Sequence, residues 1–442
     1  MDKRAYSWEK IEQEFNLNHS QLSLIRDVFQ QELQKTMRHE ASSLNNEPYF
    51  LPPPSGNETG IAVTLDLGGT NVRAHLIELQ GNGVSNWLRS VRSSWRGQVG
   101  ESDYLVEPSS AAELYDLQAQ TLAALTEGMA SDPIPLGYVF SFPVLQTSLN
   151  RAILLRWAKE INTPGVEGRE VVGLLQEALV RHHLDRRIIP RLVMNDTIGT
   201  FMASAYSYPA TRIGSVLGTG YNSCYYQPAA AVEFGDGQII NLECGNFDKV
   251  PTTYYDEALG EQSSSPASQK LEKMVSGYYL GELLRLMLND AITPDASGSG
   301  GCSNQLSTPH SLDASDVSIV IGDDSAELDK IAEWSQNRLA VHLHYDQRRM
   351  LKLLAIMIAR RSANLVAATY AAIINHVDPQ GAHDQVIAIN GSLYEKLPGY
   401  KEWLNESLYG LLSETQAHKV TIQSIKEGPA LGAAVAVRML GK

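Results

Sequence analysis

At 442 residues, 43% hydrophobic content and a formal net charge of −14, the chain is long enough for a large core in two domains. It is too acidic for a broad nucleic-acid surface, although a local positive pocket is compatible with that charge. Three widely spaced cysteines (Cys224, Cys244, Cys302) without a CxxC argue against a disulfide scaffold or a zinc site and fit a reducing compartment. "MDKRAYSWEKIEQEF" has no apolar signal-peptide core, and no apolar run reaches the roughly 18 residues of a membrane span, so the expectation is a soluble, cytoplasmic protein that binds no membrane.

In chain order, residues 7–38 carry helical periodicity. Trp8, Ile11 and Phe15 share one spacing, and Leu22, Ile25, Phe29, Leu33 and Met37 follow after the cap region "NHS", which reads as two helices packed on a core. "LPPPSGNETG" (51–60) is a stiff, turn-rich linker and a candidate hinge. In "VTLDLGGTNVRAHLIEL" (63–79) an apolar strand ends in an acid, two glycines, a threonine and an asparagine before an alternating strand resumes. The turn is either a plain hairpin, where glycine permits positive φ, or an anion loop whose backbone N–H groups approach a phosphate while Thr70 and Asn71 add donors.

A helix is expected over about 110–130, and "LGYVFSFPV" reads as a buried strand ending at Phe142-Pro143. "VVGLLQEALVRHH" reads as a helix. "RLVMNDTIGTFMASAY" is a strand running into a helix with Asn195-Asp196 at the join. "RIGSVLGTGYNSCYYQ" (212–227) repeats the design of the first glycine turn. Residues 292–316 read as a mobile Gly/Ser-rich loop and 348–376 as a long apolar helix. "QVIAINGSLYEKLPGYKEWLNESL" is strand, Gly-Ser turn and helix, and "EGPALGAAVAVRML" is a small-residue helix. Alternating strands and helices predict an α/β fold with mostly parallel sheets, and one Gly/Thr hairpin per half suggests two lobes clamping a polyphosphate.

"LDLGGTNVRAHLIEL", "FSFPV", "ILLRWAKEINTPGVEG", "VMNDTIGT", "VLGTGYNSCYY", "LECGNFD", "LEKMVSGYYLGELLRL" and "AINGSLYEKLPGYKEWL", in this order from about residue 7 to the end, resemble the hexokinase family of eukaryotic type. The resemblance implies a two-lobed actin-like ATPase (ribonuclease H-like) fold, with a small domain (61–197 plus 431–442) and a large domain (1–60 plus 198–430) around a cleft. It implies that Asp66, Gly68, Gly69, Thr70 and Asn71 form a first phosphate motif, that Gly218, Thr219 and Gly220 form a second, and that Gly391 and Ser392 lie near the adenosine. Ser141, Lys159, Asn195, Asp196, Asn222, Glu243, Gln269 and Glu272 match sugar-contacting positions, and Asp196 matches the catalytic base, with Lys159 beside it.

The implied activity is ATP-dependent phosphorylation of the 6-hydroxyl of a hexose, glucose first. Mg²⁺ would be carried by the ATP, with Asp66 acting through metal-bound water, in a monomer or homodimer. Carboxylates and amides suit a ring of neutral hydroxyls as acceptors and donors, and phosphoryl transfer needs positioning and charge neutralisation above all.

Each residue also has a plainer reading. Asp66 can cap a turn, Asn195-Asp196 can N-cap the following helix, Glu243 can be a solvated turn acid and Lys159 a surface lysine. Glu272 suits a helix start, and Cys224 and Cys244 suit a packed core.

The chain departs from the family pattern at four places. Trp157-Ala158-Lys159-Glu160 stands for Trp-Thr-Lys-Gly, and Glu427-Gly428-Pro429-Ala430-Leu431-Gly432 for Glu-Gly-Ser-Gly-Arg-Gly. Asn390-Gly391-Ser392 stands for Asp-Gly-Ser, and 292–316 lacks the usual threonine-containing pattern. The departures at Ala158 and at Pro429–Leu431 keep alive a catalytically weak, hexokinase-like sugar sensor. A kinase for another sugar, such as an amino sugar, is the third reading.

Overall fold

The computed structural model describes residues 8–68, 71–94, 110–130, 132–157, 163–228, 237–263, 265–292 and 304–441. The first sheet is built from β2 (Thr59–Leu67), β3 (Asn71–Gly81), β4 (Val84–Ser94), β5 (Ile134–Phe140) and β8 (Ile188–Met194), in the order β4-β3-β2-β5-β8. The second is built from β1 (Glu47–Pro48), β9 (Thr211–Leu217), β10 (Tyr221–Gln227), β11 (Gln238–Asn241), β12 (Gln385–Asn390) and β13 (Val420–Ser424), in the order β1-β11-β10-β9-β12-β13. A separate hairpin joins β6 (Val144–Ser148) and β7 (Arg151–Leu154).

The duplication expected from the two glycine hairpins extends to whole sheets. In each, three antiparallel strands lead into two strands added in parallel. The expectation of mostly parallel sheets is thereby corrected: four of the ten described pairings are parallel, because each repeat opens on a three-strand meander.

The near-continuous apolar run of β2 is explained by cover on both faces. Val63, Leu65 and Leu67 join a core with Leu114, Leu122, Leu175 and Leu179 of helices Ala111–Thr126 and Val171–Arg181. Ala62 faces the other way, into a core made with Phe201 and Met202 of helix Asp196–Ser207 and Ala433 to Val437 of helix Gly428–Met439. Cys224 and Ile239 of the second sheet enter that same core, so these two helices sit between the sheets. They touch backbone to backbone: a Cβ on Gly432 would stand 1.8 Å from the carbonyl oxygen of Gly199, so only glycine admits the crossing.

The largest core lies beyond the second sheet, around helix Tyr345–Val377, which extends the expected 348–376 by a few residues at its start. Helices Trp8–Phe15 and His19–Met37 pack there through Ile11, Phe15, Leu22, Ile25, Phe29 and Leu33, the second opened by an Asn18–Gln21 capping box. β5 ends at Phe140, two residues before the expected Phe142. Part of the expected 292–316 loop is regular: helix Asn304–Ser307 is followed by helix Ala314–Ile321, which Asp313 caps, while 293–303 lie outside the described residues. Among the described residues no helix is long and apolar enough to cross a membrane.

Candidate active site

A cleft opens where strand ends of both sheets meet helix Lys270–Val275. Ser141 follows β5, Asn195 and Asp196 follow β8, Asn222 lies in β10, Glu243 follows β11, and Gln269 and Glu272 come from the start of the helix. All seven line one cavity together with Thr219 and Gly220 of the second glycine turn. Seven residues assigned by resemblance to the sugar, drawn from Ser141 to Glu272 of the chain around two sheets, thus converge with the turn assigned to phosphate. Lys159, assigned to both sugar and catalysis, lies outside the described residues, as does Ala158.

Asn195 serves two ends. Its Oδ1 accepts from Thr197 N at 2.9 Å and from Thr197 Oγ1 at 2.7 Å, so it is the N-cap of helix Asp196–Ser207 as well as a cleft residue. That cap fixes Asp196 as the first helical residue. Asn222 is held from both sides: its Nδ2 donates to Asn241 Oδ1 at 2.9 Å and Glu243 Oε1 at 3.0 Å, and its Oδ1 accepts from Ser223 N and Cys244 N. Glu243 Oε1 also accepts from Asn241 Nδ2 at 2.9 Å. Glu243 is therefore no freely solvated turn acid. Burial pushes its carboxyl up to about 7; the neighbouring acids Glu47, Asp196 and Glu272 add to the rise, and the Asn241 hydrogen bond opposes it. Glu272 Oε2 accepts from Tyr221 N at 3.1 Å. Cys224 and Cys244 are buried and free, and burial raises both thiols, Cys244 to about 12, so they are inert packing groups.

The phosphate-assigned residues fall at two hairpin ends. In the first hairpin Gly68 N donates to Asn71 O at 3.1 Å, closing the turn, while Gly69 and Thr70 lie outside the described residues. Asp66 stands directly across the hairpin from Arg73, and its Oδ2 is 3.1 Å from the guanidinium. Arg73 also reaches Glu427 at 3.1 Å, bridging to the start of helix Gly428–Met439. Asn71 Oδ1 accepts from Arg92 Nε at 2.8 Å. In the second hairpin Gly218 N donates to Gly220 O at 3.0 Å.

Gly391, which precedes Ser392 at the start of helix Ser392–Lys396, has φ 145°, and a Cβ there would stand 2.1 Å from the Leu217 carbonyl oxygen. The Gly391-Ser392 turn and the second hairpin are therefore in backbone contact, which only glycine allows. The replaced acid before it has a structural use: Asn390 Nδ2 donates to Ile425 O at 2.7 Å, which a carboxylate could not do. Pro429 occupies the first turn of helix Gly428–Met439, where its missing N–H costs nothing.

Four cleft-related residues were not singled out from sequence. Arg73 was findable as a basic residue on the strand that returns from the Gly68-Gly69 turn, its pairing with Asp66 being set by the register observed. Asn241, Tyr278 and His310 were not, because nothing in local spacing marks them. Trp157 lines the cleft through packing: its ring lies 5.0 Å from Phe142, and its Nε1 donates to Thr163 O at 2.8 Å.

Two family models described as hexokinase match the chain, over residues 7–206 and 212–439. The chain is 32% identical to Hexokinase-1 of Saccharomyces cerevisiae, with 96% of this chain and 90% of the relative covered. It is 30% identical to Hexokinase-2 of the same organism, with 98% and 92% covered. Among solved structures, a hexokinase from Schistosoma mansoni complexed with glucose superimposes with a TM-score of 0.84 at 28% identity, covering 99% of this chain and 100% of that one. A ROK family glucokinase from Streptomyces griseus, at 16% identity and a TM-score of 0.50, shares the fold alone.

Proposed function

The chain belongs to the hexokinase family and has its two-lobed actin-like fold, and from that premise we propose that it transfers the γ-phosphoryl group of ATP to the 6-hydroxyl of glucose or a related hexose. The observation that carries the reading is the placing of Asp196 on one cavity wall with Asn195, Asn222, Glu243, Gln269 and Glu272, next to the Thr219-Gly220 turn. The amides and carboxylates hold the ring hydroxyls. Asp196 takes the proton of the 6-hydroxyl as that oxygen bonds to phosphorus and the bond to ADP breaks. Lys159 is proposed to meet the transferred phosphoryl group.

A divalent cation such as Mg²⁺ would arrive on the donor's phosphates, with Asp66, whose Oδ2 is paired to Arg73 at 3.1 Å, reaching it through metal-bound water. Bound there, it would neutralise phosphate charge. We take 61–197 with 431–442 as one lobe and 1–60 with 198–430 as the other, closing on the sugar to exclude water.

A coupled assay with purified protein, ATP with Mg²⁺ and a hexose panel tests the reading; turnover of at least one hexose is the expected result. The second reading, a sugar sensor of low activity, is favoured by Pro429 and Leu431 standing where the family has a serine and an arginine. Hexose binding without turnover would select it.

A further inference from the structure

Nine non-glycine residues among those described have positive φ, and three of them line the cleft: Glu243, Gln269 and His310. Strained backbone of this kind gathers at functional sites. The first two already have a place in the proposed sugar site, whereas His310 (φ 55°) has none. It sits on the turn between helices Asn304–Ser307 and Ala314–Ile321 and is held there firmly. Its backbone N–H donates to Glu282 Oε2 at 2.7 Å, and Glu282 is buried in an ion pair with Arg285, whose guanidinium also bonds the Leu306 carbonyl. On its other side, Arg338 Nη2 donates to Ser311 O at 2.5 Å.

The imidazole stacks on Tyr278, with ring centroids 4.6 Å apart and planes 23° from parallel. Tyr278 N in turn donates to Thr219 O at 3.1 Å, and Gly277 N to Gly218 O at 2.8 Å. His310, Tyr278 and the second glycine turn are therefore linked contact by contact. Neither ring nitrogen of His310 has a hydrogen-bond partner among the described residues, and Nδ1 is buried. A buried N–H without an acceptor is rarer and costlier than an under-used acceptor lone pair. The proton of the neutral ring is accordingly assigned to Nε2, the nitrogen that is not buried. His310 shares the cavity with Thr219 and Gly220, and an N–H donor there suits an anionic oxygen.

We propose that His310 is a binding residue for the phosphoryl donor, its Nε2–H meeting a phosphate oxygen of the nucleotide held at the second glycine turn. This rests on the ATP-dependent reading above and assigns a phosphate contact that the hexokinase resemblance did not supply. Tyr278 orients the ring by stacking.

The test is calorimetric and does not depend on turnover. Wild type, His310→Gly and His310→Gln are titrated, in saturating glucose, with the magnesium complex of a non-hydrolysable ATP analogue, with tripolyphosphate and with adenosine. The glycine variant relieves the positive φ and so keeps the fold, which its melting temperature checks. The expected result is about a tenfold or greater loss of affinity for the analogue and for tripolyphosphate in His310→Gly, as for a hydrogen bond to a charged group. Adenosine affinity is unchanged, and the amide N–H of His310→Gln restores part of the loss. Unchanged tripolyphosphate affinity in a folded His310→Gly overturns the proposal alone. So does a loss confined to adenosine, which would make the ring a stacking platform for the base. A wild type that binds neither nucleotide nor tripolyphosphate overturns this proposal and the ATP-dependent reading together.

Discussion

Glu272 Oε2 accepts a hydrogen bond from Tyr221 N at 3.1 Å, which ties a carboxylate assigned to the sugar to the first residue after the phosphate turn. The ends of the cleft proposed for sugar and nucleotide thus share one anchor. Glu272→Ala is expected to weaken glucose binding by about 10- to 150-fold, as for hydrogen bonds to a charged group worth about 1.5–3 kcal/mol. It should weaken nucleotide binding as well, because Tyr221 N loses its acceptor. Glu272→Gln keeps an acceptor for Tyr221 and should spare the nucleotide. Titration by tryptophan fluorescence measures both, with Trp157 in the cleft as reporter, and an unaltered glucose affinity in Glu272→Ala would remove this residue from the site.

Asp196→Asn keeps the size of the side chain and its place in the first helical turn but cannot accept the proton of the 6-hydroxyl. Turnover should fall by about 10²–10⁴-fold with the melting temperature little changed. A variant retaining more than roughly a tenth of the wild-type rate would show that another group is the base.

Glu243 is expected to link sugar binding to pH. Its folded-state carboxyl is raised to about 7 from 4.5, so between these values the folded chain holds a proton that the unfolded chain has lost. Stability contributed by this group is therefore present at low pH and is lost as pH rises through about 7. Sugar hydroxyls donating to Glu243 favour the ionised form, so glucose binding should release a proton. Affinity should then be about tenfold weaker at pH 6 than at pH 8, the ratio expected for one group titrating near 7. Glu243→Gln should flatten the profile. Calorimetric titration in two buffers of different ionisation enthalpy measures the proton directly, and none released near pH 6.5 would contradict the assignment.

Arg361 and Asp256 form a buried two-pronged ion pair at 2.7 and 2.8 Å, with the guanidinium 4.1 Å from the centre of the Phe15 ring. The pair ties helix Tyr345–Val377 to helix Tyr254–Gln262 and to the first helix of the chain. Removing one partner leaves a buried charge uncompensated, so Arg361→Met should cost about 3–5 kcal/mol in denaturant unfolding. Adding Asp256→Leu should recover much of that loss. A double variant no more stable than the single one would place the cost in packing against Phe15 or in the Thr253–Asp256 capping box that Asp256→Leu also removes.

Closure of the lobes on hexose should be visible in small-angle scattering. With the lobes divided as proposed, the chain would cross between them at the start of β2, at the Asn195-Asp196 join and at helix Gly428–Met439, next to Gly/Pro or small-residue segments that can hinge. The radius of gyration is expected to fall at saturating glucose, and an unchanged value together with unchanged tryptophan fluorescence would argue against closure.

The order of strands and helices and the two glycine hairpins were legible in the sequence because their signals are local, whereas the seven sugar-assigned residues came only from the resemblance to the hexokinase family. Alternation marks a half-buried strand, a polar cap marks the start at Asn18, and a run such as that of β2 marks cover on both faces. Locality also explains what was misread. The glycine turns pointed to hairpins, yet the sheets were expected to be mostly parallel, because nothing within one hairpin tells how many antiparallel strands precede the crossovers. Likewise, serine and glycine content made 304–316 look loose, although Asp313 caps a helix there and Arg338 holds the turn before it.

What the chain alone determined is which residues stand at strand ends, where backbone geometry leaves side chains pointing out of the sheet. What only the tertiary structure decided is which of those ends meet. Glu272 reaches the backbone of Tyr221 across 51 residues, Gly391 abuts Gly218 from another strand, and His310 stacks on Tyr278 beside the second turn. Arg73 bonds Glu427 across 354 residues. Such contacts depend on two sheets packing against shared helices, through crossings such as Gly432 on Gly199. No periodicity encodes them, because the free energy that selects them comes from burial summed over the whole core rather than from neighbours along the chain.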